Sequence, residues 1–359
     1  MSKQDLRSLN EEKMVEAAVA YGEKPFRGRQ LFEWIHRKQV ADFSEIHNLP
    51  GRFLERLSAD YIVSGVKICK KQVSRSKDTA KYLFSLADGC LVESVWMKYH
   101  HGNSVCISSQ VGCRMGCRFC ASTLAGLERN LTAGEMLSQI YEIQRETGER
   151  VSNVIVMGMG EPLDNYDQLL AFIRLVSDEK GICISQRNIT VSTCGLVDQI
   201  RKLMGEKLQI TLAVSLHAPN DEIRRSMMPV ANKYGVREIF SVCREYTKMT
   251  GRRVTFEYSM IDGINDQKAH ALELARQLRG MNCHVNLIPL NEVRERENRR
   301  SREENVRAFQ RTLEQNRINV TVRREMGSDI DAACGQLRNT YMGLSEGEKP
   351  DNSLTPSNI

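Results

Sequence analysis

Cys113-Arg-Met-Gly-Cys117-Arg-Phe-Cys120 is the stretch that decides how the rest of the sequence is interpreted. Its cysteines have the spacing C-x3-C-x2-C, and a fourth cysteine does not follow close by. Iron–sulfur clusters are held by cysteine thiolates, so three thiolates would bind three irons of a cubane [4Fe–4S] cluster and leave the fourth iron open to a small molecule. Structural zinc sites usually pair C-x2-C elements and close all four positions. A zinc site completed by a distant histidine, or a set of inert buried thiols, is the alternative.

The composition predicts a globular chain without a membrane span. Of 359 residues, 41% are hydrophobic and 27% are charged, as in ordinary globular domains, and the length suggests two domains or one barrel with an appendage. No run approaches ~18 apolar residues, and the first residues contain no apolar signal segment. Eleven cysteines in a chain of this size suit a reducing compartment, so we expect a cytoplasmic protein with no membrane partner. The net charge of +6 is compatible with an acidic partner such as nucleic acid.

Residues 1–90 have the pattern of a small helical domain. Apolar residues at helical spacing predict helices over 11–21 and 24–35, and a third follows the Leu-Pro-Gly break. Asp88-Gly89 predicts a β-hairpin turn within a short linker that reaches residue 98. The basic residues of this part form either a phosphate-binding face for RNA or an ordinary solvated surface: Arg27, Arg29, Arg37, Lys38, Lys67, Lys70, Lys71, Arg75 and Lys77.

From residue 99 to residue 329, β-rich runs alternate with helical patterns. Such alternation predicts an α/β fold with a parallel sheet, which is either open or closed into a barrel. The strand candidates are 105–109, 153–157, 188–193, 210–215, 254–258, 285–289 and 318–323. A C-terminal segment, 330–342, follows the barrel, and the polar stretch 343–359 is predicted to be disordered.

Unusual short motifs follow several of these strands. Functional residues of a (β/α) barrel lie at the C-terminal ends of its strands, so the motifs predict one shared site. They are the cysteine motif, Gly158-Met-Gly160-Glu161-Pro162, Ser192-Thr-Cys-Gly195, Ser215-Leu216-His217 and Asn291. Glycines let the backbone approach a ligand closely, and the polar side chains offer hydrogen bonds. Taken singly, each motif is also compatible with turn chemistry, and His217 with a satisfied histidine at the barrel rim.

The cysteine motif resembles that of the radical S-adenosylmethionine (SAM) enzymes, which also favour an aromatic residue at the position of Phe119. The resemblance implies a partial (β/α)6 TIM-like barrel and a [4Fe–4S] cluster whose open iron binds SAM. The loop around Gly160 is similar to the glycine- and glutamate-containing loop that binds the SAM ammonium group in that superfamily. The implied cluster ligands are Cys113, Cys117 and Cys120, and the implied SAM contacts are Gly160, Glu161, Ser192, Ser215, Leu216, His217 and Asn291.

Longer segments resemble the RlmN/Cfr family of RNA methyltransferases. They run from about residue 93 to residue 337 and include Cys-x-Ser-Ser-Gln-Val-Gly-Cys, Gly-Met-Gly-Glu-Pro, Ser-Leu-His-Ala-Pro-Asn-Asp, Asn-Leu-Ile-Pro-x-Asn and Asp-Ile-Asp-Ala-Ala-Cys-Gly-Gln-Leu. The resemblance implies methylation of C2 of an adenosine in 23S rRNA and in the anticodon-loop region of tRNA. It also implies a monomer that uses an electron donor such as flavodoxin. The alternatives are C8 methylation of the rRNA adenosine and a non-catalytic iron–sulfur or zinc protein that binds RNA.

The same resemblance assigns reaction roles to two cysteines and a glutamate. It makes Cys334 the methyl carrier, which takes a methyl group from one SAM and becomes bonded to the RNA while a second SAM is consumed. Glu93 removes the C2 proton, and Cys106 then releases the product by forming a transient disulfide with Cys334. Without the resemblance, either cysteine is an inert buried thiol, and Glu93 is a surface carboxylate on a strand.

Overall fold

The computed structural model describes residues 3–100, 102–291, 297–323, 330 and 336–343. Its helices are α1 (Glu11–Ala20), α2 (Pro25–Phe32), α3 (Gly51–Asp60), α4 (Ala133–Thr147), α5 (Tyr166–Val176), α6 (Val197–Met204), α7 (Asp221–Met227), α8 (Val236–Thr250), α9 (Lys268–Leu278), α10 (Glu303–Gln315) and α11 (Gln336–Tyr341). Its strands are β1 (Gln4–Asp5), β2 (Tyr61–Ile62), β3 (Lys67–Val73), β4 (Thr79–Ser85), β5 (Leu91–Tyr99), β6 (Gly102–Cys106), β7 (Gln110–Gly112), β8 (Leu127–Asn130), β9 (Val151–Val156), β10 (Ile189–Thr193), β11 (Thr211–Ser215), β12 (Val254–Met260), β13 (Cys283–Pro289) and β14 (Val320–Val322). Among these described helices, none has the length and apolar character needed to cross a membrane.

One ten-stranded sheet organises the molecule, in the order β14-β13-β12-β11-β10-β9-β6-β5-β4-β3. From β6 to β14 neighbouring strands are parallel. Each of β6, β9, β10, β11, β12 and β13 is followed by at least one helix before the next parallel strand. The six β/α units confirm the predicted partial (β/α)6 barrel, in which the loops after the strands share one end.

The first barrel helix, α4, begins and ends where the sequence dictates. Thr132 Oγ1 accepts from the N–H of Glu135 at 3.1 Å, and the Glu135 carboxylate accepts from the N–H of Thr132 at 2.9 Å. This is a capping box. Gly148 ends the helix in the left-handed conformation, with φ of +67°. Leu137 and Ile140 of α4 are fully buried in the core between helix and sheet.

Helix α4 covers one face of the antiparallel strands, which we call the outer face. The Tyr82 hydroxyl on β4 donates to Glu146 at 2.5 Å, and Ser94 Oγ on β5 donates to Gln139 Oε1 at 2.8 Å. Because successive side chains of a strand point to opposite faces, the neighbours of Tyr82 and Ser94 lie on the other face. We call that the inner face.

Glu93 and Cys106, which the resemblance assigns to the reaction, both have their side chains on the inner face. Lys81 precedes Tyr82, and Glu93 precedes Ser94, so both belong to it. Val95 is on the same face, two residues after Glu93, and is paired with Cys106 across β5 and β6. Residues paired directly across strands share a face, so Cys106 lies on the inner face beside Val95 and diagonal to Glu93.

The basic stretch after α3 contains an edge strand, which its sequence does not predict. β3 pairs with β4, and Lys71 on it makes an ion pair with Glu146 of 2.5 Å. The hairpin β4–β5 belongs to the barrel's sheet and is not a linker, because β5 pairs with β6 in antiparallel register from Val95 to Tyr99. Lysines are common on edge strands, where charge prevents pairing with further chains.

The helical N-terminal part is docked on the outer side of α4. The imidazole of His36, which is fully buried, lies 2.9 Å from the Tyr141 hydroxyl. The Arg7 guanidinium donates to Ser138 Oγ at 2.7 Å and to the Val40 carbonyl at 2.8 Å. These buried polar contacts join the N-terminal helices to α4, which covers the outer face of β4 and β5.

Candidate active site

The cysteine motif forms the loop between β7 and β8. The Cys113 N–H donates to the Gly126 carbonyl at 2.8 Å, and the Cys120 N–H donates to the Cys117 carbonyl at 3.2 Å, so the loop closes on itself. Gly112 precedes the loop with φ of +77°, and a Cβ at this position would lie 2.0 Å from the Gly126 carbonyl oxygen. Only glycine permits that approach.

An apolar cluster supports this loop at the C-terminal ends of the strands. The cluster consists of Cys194, Met227, Met228, Ile261 and Leu290, with Met115, Cys117 and Phe119 of the loop packed against it. The N–H of Arg118 donates to the Met227 carbonyl at 2.9 Å, which fixes the loop on the cluster. One side of the cysteine loop is therefore shielded from water.

The electrostatics of the loop favour protonated cysteines in the absence of a metal. Burial raises the pKa of Cys113 to about 12 and also raises the pKa of Cys117. The neighbouring Cys120 adds to both shifts, since like charges disfavour one another. Iron would have to displace these protons, and metal binding to thiols releases protons in this way.

The donor set fits a [4Fe–4S] cluster with one open iron. Cys113, Cys117 and Cys120 lie on one loop, and the charge of Cys120 contributes to the raised pKa of both Cys113 and Cys117. Across the described ranges, three or more His, Cys, Asp or Glu side chains nowhere converge as ligands of a single metal ion. A cubane does not require such convergence, because each thiolate binds a different iron. These cysteines would hold the cluster against the apolar residues beneath them.

The Ser-Ser-Gln segment before the loop fixes the glycine motif after β9. Ser108 Oγ accepts from the N–H of Met159 at 3.0 Å, and Gln110 Oε1 accepts from the N–H of Glu161 at 2.8 Å. Gly160 has φ of +102°, and a Cβ there would lie 2.6 Å from the Gln110 side chain. The glycine motif is therefore required by close packing as well as by any ligand.

Glu161 connects two of the strand ends. Its side chain is buried, and its carboxylate oxygens accept from the N–H groups of Cys194 at 2.6 Å and Leu163 at 3.0 Å. Burial raises the pKa of Glu161, and these hydrogen bonds oppose that shift. A carboxylate oxygen has more than one lone pair, so both oxygens can still accept from a ligand.

The predicted serines lie on neighbouring strands with their side chains on one face. Ser192 on β10 is in register with Ala213 on β11. Ser215 follows Ala213 by two residues and is in register with Glu257 on β12. Strand alternation therefore places both serines and Glu257 on the inner side of the barrel. Both serines are half-buried.

His217 is held as a neutral imidazole. Its Nδ1 accepts from the N–H of Ser259 at 2.9 Å, so its proton lies on Nε2, and burial lowers its pKa to about 3. Its ring meets the edge of Phe119 with 4.9 Å between centroids, which brings the end of β11 against the cysteine loop. Leu216 is fully buried, and its N–H donates to the Glu257 carbonyl at 3.0 Å.

Two predicted site residues come from the C-terminal third of the chain, Asn291 and Cys334. Asn291 is exposed directly after β13 and follows Leu290 of the apolar cluster. Cys334 lies outside the described residues, so its pairing with Cys106 stays a prediction. Cysteines within the described ranges form no disulfide with one another.

Glu93 is a buried residue and not a surface carboxylate. It is 2% exposed, its Oε2 lies 3.0 Å from Lys81 Nζ, and its Oε1 accepts from the N–H of Arg338 at 2.6 Å. Cys106 is also buried, with 8% of its surface exposed. Glu93 and Cys106 were both predicted to act in the reaction, and the fold brings their side chains to the inner face of the sheet.

Arg224 on α7 is a site residue that sequence reasoning missed. Its buried guanidinium donates to the carbonyls of Cys194 at 2.5 Å, Leu216 at 3.2 Å, Ser215 at 3.3 Å and Tyr234 at 3.3 Å. Burial lowers its pKa. The side chain thus fixes the ends of β10 and β11, yet in the sequence it is one of two adjacent arginines and has the appearance of an exposed helical residue.

Glu257 is a second residue that was missed. It is 5% exposed on β12, accepts from Asn286 Nδ2 at 2.8 Å, and its pKa is raised by burial. The signal in the sequence was a single charged residue within a strand of apolar and small polar residues, Val254–Met260. A buried carboxylate of this kind needs a hydrogen-bonding partner, which Asn286 on the adjacent strand provides.

Comparison with known proteins identifies the family. Residues 107–275 match the Radical SAM superfamily, and residues 4–63 match the ribosomal RNA large subunit methyltransferase N-terminal domain. The chain is 57% identical over 340 residues to a probable dual-specificity RNA methyltransferase RlmN of Lachnospira eligens, covering 94% of this chain and 97% of that protein. A protein of the same name from Lachnoclostridium phytofermentans is 56% identical over 337 residues, covering 94% and 95%.

A solved structure agrees with these relatives. The crystal structure of a radical SAM methyltransferase from Sphaerobacter thermophilus superposes with a TM-score of 0.89 at 42% identity and covers 93% of this chain and 98% of that chain. The likeness extends over both the helical N-terminal part and the barrel, since almost the whole of each chain is included. This chain therefore belongs to the RlmN family of dual-specificity RNA methyltransferases, within the radical SAM superfamily.

Proposed function

We propose that this chain methylates C2 of an adenosine in 23S rRNA and in tRNA, with Cys334 as methyl carrier, Glu93 as base and Cys106 as the thiol that releases the product. The observation that carries the proposal is the position of Cys106 and Glu93. They lie on the adjacent strands β5 and β6, with their side chains on the inner face. Both are buried, which rules out a role at the exposed surface, and strand alternation rules out a role in the core between these strands and α4.

The implied cofactors have places in this arrangement. As a member of its superfamily the chain uses a [4Fe–4S] cluster and SAM, which supply hydrogen-atom abstraction and a methyl group. Cys113, Cys117 and Cys120 would hold the cluster. Gly160, Glu161, Ser192, Ser215, Leu216, His217 and Asn291 are the proposed SAM contacts, and they lie at the ends of β9, β10, β11 and β13.

The residues of the chain then have a definite order of action. C2 of adenine lies between two ring nitrogens and is electron-poor, so it does not attack a methyl group directly. The Cys334 thiolate takes the methyl group as an ordinary nucleophile. The carbon of this methyl group, still bonded to the Cys334 sulfur, later becomes bonded to C2. Glu93 accepts the C2 proton. The Cys106 thiolate attacks the Cys334 sulfur, so the S–S bond forms, the S–CH2 bond breaks, and the carbon takes up a proton to become the product methyl group.

The RNA must present its adenine outside a stack. A base in a paired or stacked helix cannot reach a barrel interior, so the enzyme takes an unstacked or flipped adenosine. The helical N-terminal part matches a methyltransferase N-terminal domain, and together with the basic edge strand β3 we assign it to RNA binding. A cytoplasmic monomer that receives electrons from a flavodoxin-like donor completes the proposal.

The test is reconstitution under anaerobic conditions with SAM, a reductant and protein-free 23S rRNA or tRNA. Nuclease digestion and mass spectrometry should detect 2-methyladenosine, and Cys334→Ala should make none. Formation of 8-methyladenosine would assign C8 as the target. A protein that binds RNA and cleaves no SAM would support the non-catalytic function instead.

A further inference from the structure

The inner face contains a buried ion pair whose lysine has no role in the reaction steps above. Lys81 Nζ lies 3.0 Å from Glu93 Oε2, and the two side chains are 0% and 3% exposed. Burying a lysine in the middle of a strand is rare unless it is paired. Removing ions from water costs several kcal/mol per ion, so the pair requires an explanation beyond filling the sheet.

The second carboxylate oxygen of Glu93 binds the backbone of helix α11. Glu93 Oε1 accepts from the N–H of Arg338 at 2.6 Å. Next to it, Leu337 is fully buried, and Asn339 Nδ2 donates to the carbonyl of Ala121, directly after the cysteine motif. The Arg338 side chain makes an ion pair with Glu128 on β8. Helix α11, which follows Cys334 in the sequence, is thereby docked between the inner face and the cysteine loop.

We propose that Lys81 is a positioning residue for Glu93, and that Glu93 Oε1 alternates between the Arg338 N–H and the C2 proton of the substrate. This inference rests on the proposed function. Lys81 retains Oε2, so Oε1 stays directed toward the region where the C-terminal segment docks. In the deprotonation step the C2 proton passes to Oε1 and the C–H electron pair stays in the adenine ring. The [4Fe–4S] cluster that Cys113, Cys117 and Cys120 would hold would supply the acceptor for the unpaired electron of the adduct.

The charge of Lys81 matters as well as its hydrogen bond. Burial disfavours the charged form of a carboxylate, and a cation nearby favours it. Only the charged form can accept a proton. Lys81 also shares a cross-strand row with Val95 and Cys106, since Val95 is paired with both. Lys81 therefore lies in the same cross-strand row as Cys106, the residue that acts after Glu93 in the proposed reaction.

The first test measures individual steps in Lys81→Met, with Lys98→Met as the matched control. Lys98 is on β5, the strand of Glu93, but it is exposed and its ion pair is with Glu149. We expect Lys81→Met to keep its iron, its SAM cleavage and the methyl group on Cys334. Formation of 2-methyladenosine should fall on the order of a hundredfold, the usual contribution of a general base, and Lys81→Arg should restore part of the rate. Lys98→Met should do none of this.

The second test uses RNA deuterated at C2 of the target adenosine. If Lys81 positions the base, deprotonation becomes slower in Lys81→Met, and the deuterium isotope effect on product formation should exceed that of the wild type. If Lys81 only stabilises the sheet, the iron content, Cys334 methylation and product formation should fall together with an unchanged isotope effect. That result would overturn the inference. Lys81→Gln, which keeps a hydrogen-bond donor without the charge, serves if the methionine variant is insoluble.

The third test needs no substrate. In the protein without RNA, the amide hydrogen of Arg338 should exchange more slowly than those of exposed loops, and Lys81→Met should accelerate it while Lys98→Met does not. Equal exchange in the two variants would contradict the contact through Glu93. Failure of the proposed function is distinguishable, because it would appear as a wild-type protein that makes no 2-methyladenosine. A wild type that makes it, with a Lys81→Met variant that matches it in rate, would overturn only the role of Lys81.

Discussion

Among single residues, Cys106 is the one whose removal separates the proposed steps most clearly. Cys106→Ala should halt the reaction after the RNA has become bonded to Cys334, because the thiol that breaks this bond is missing. Denaturing gels after incubation with RNA, SAM and reductant should show a protein–RNA band that nuclease removes. Cys334→Ala, and the double variant, should show no band, since the carrier acts first.

Cys283 provides the control for this experiment. It is also a buried strand cysteine, with 4% exposure, but it packs in the main core. Cys283→Ala should lose about 1–3 kcal/mol of stability, as core truncations do, and should turn over without a trapped adduct. If Cys106→Ala behaves in the same way, Cys106 is a structural residue and has no part in the reaction.

The cluster ligands give a second prediction at this scale. Cys117→Ala should reduce bound iron from about four per chain to near zero after anaerobic reconstitution, because two remaining thiolates do not retain a cubane. Cys69→Ala, at an exposed position, should keep the iron. Iron analysis and the visible absorption spectrum measure both variants, and a Cys117→Ala protein with full iron content would rule out this ligand set.

At the scale of elements, Arg224 joins the ends of β10 and β11 to α7. Arg224→Met should leave buried carbonyls without donors and lower the free energy of unfolding by about 3 kcal/mol, since each unsatisfied buried group costs about 1–3 kcal/mol. Urea unfolding of the cluster-free protein measures the change. SAM binding should weaken as well, because Ser215 and Leu216 are among the carbonyls that Arg224 holds.

The adjacent arginine provides the control for Arg224. Arg225 is exposed and lies 3.7 Å from Asp221 in an i,i+4 ion pair, and exposed pairs contribute little. Arg225→Met should therefore change stability by less than about 0.5 kcal/mol. Equal losses in the two variants would show that the carbonyl contacts do not determine the stability of these strand ends.

The elements also show what a sequence can specify. The parallel strands were predictable because each is a short apolar run followed by a turn motif, and the cysteine and glycine motifs marked the strand ends. The edge strand β3 was not predictable, because five of its seven positions, Lys67–Val73, are exposed and its pairing depends on β4. The roles of Lys81 and Arg224 depend on contacts with residues distant in sequence, a carboxylate for Lys81 and backbone carbonyls for Arg224. The spacing of residues along the sequence does not predict such contacts.

At the scale of the whole molecule, His36 couples the N-terminal helices to the barrel. It is fully buried between Leu9 and Tyr141, with one ring nitrogen 3.2 Å from the Leu9 carbonyl and the other 2.9 Å from the Tyr141 hydroxyl. The first nitrogen must donate, because a carbonyl oxygen can only accept. Burial lowers the pKa of His36 to about 3, so the imidazole is neutral and its second nitrogen accepts from the Tyr141 hydroxyl.

This burial predicts a pH dependence with a definite sign. The unfolded chain binds a proton at His36 near pH 6.5 and the folded chain only near pH 3. The contribution of His36 to stability is therefore fully present above pH 6.5 and is lost as the pH falls from 6.5 toward 3, by up to about 1.4 kcal/mol per pH unit. His36→Gln, whose amide can make both hydrogen bonds without titrating, should reduce the slope of unfolding free energy between pH 6.5 and 5 by about that amount. The exposed His47→Gln should leave the slope unchanged. Urea unfolding of the cluster-free protein at several pH values measures all three slopes, and a His36→Gln slope equal to that of the wild type would mean that the N-terminal helices are not held to the barrel through a neutral His36.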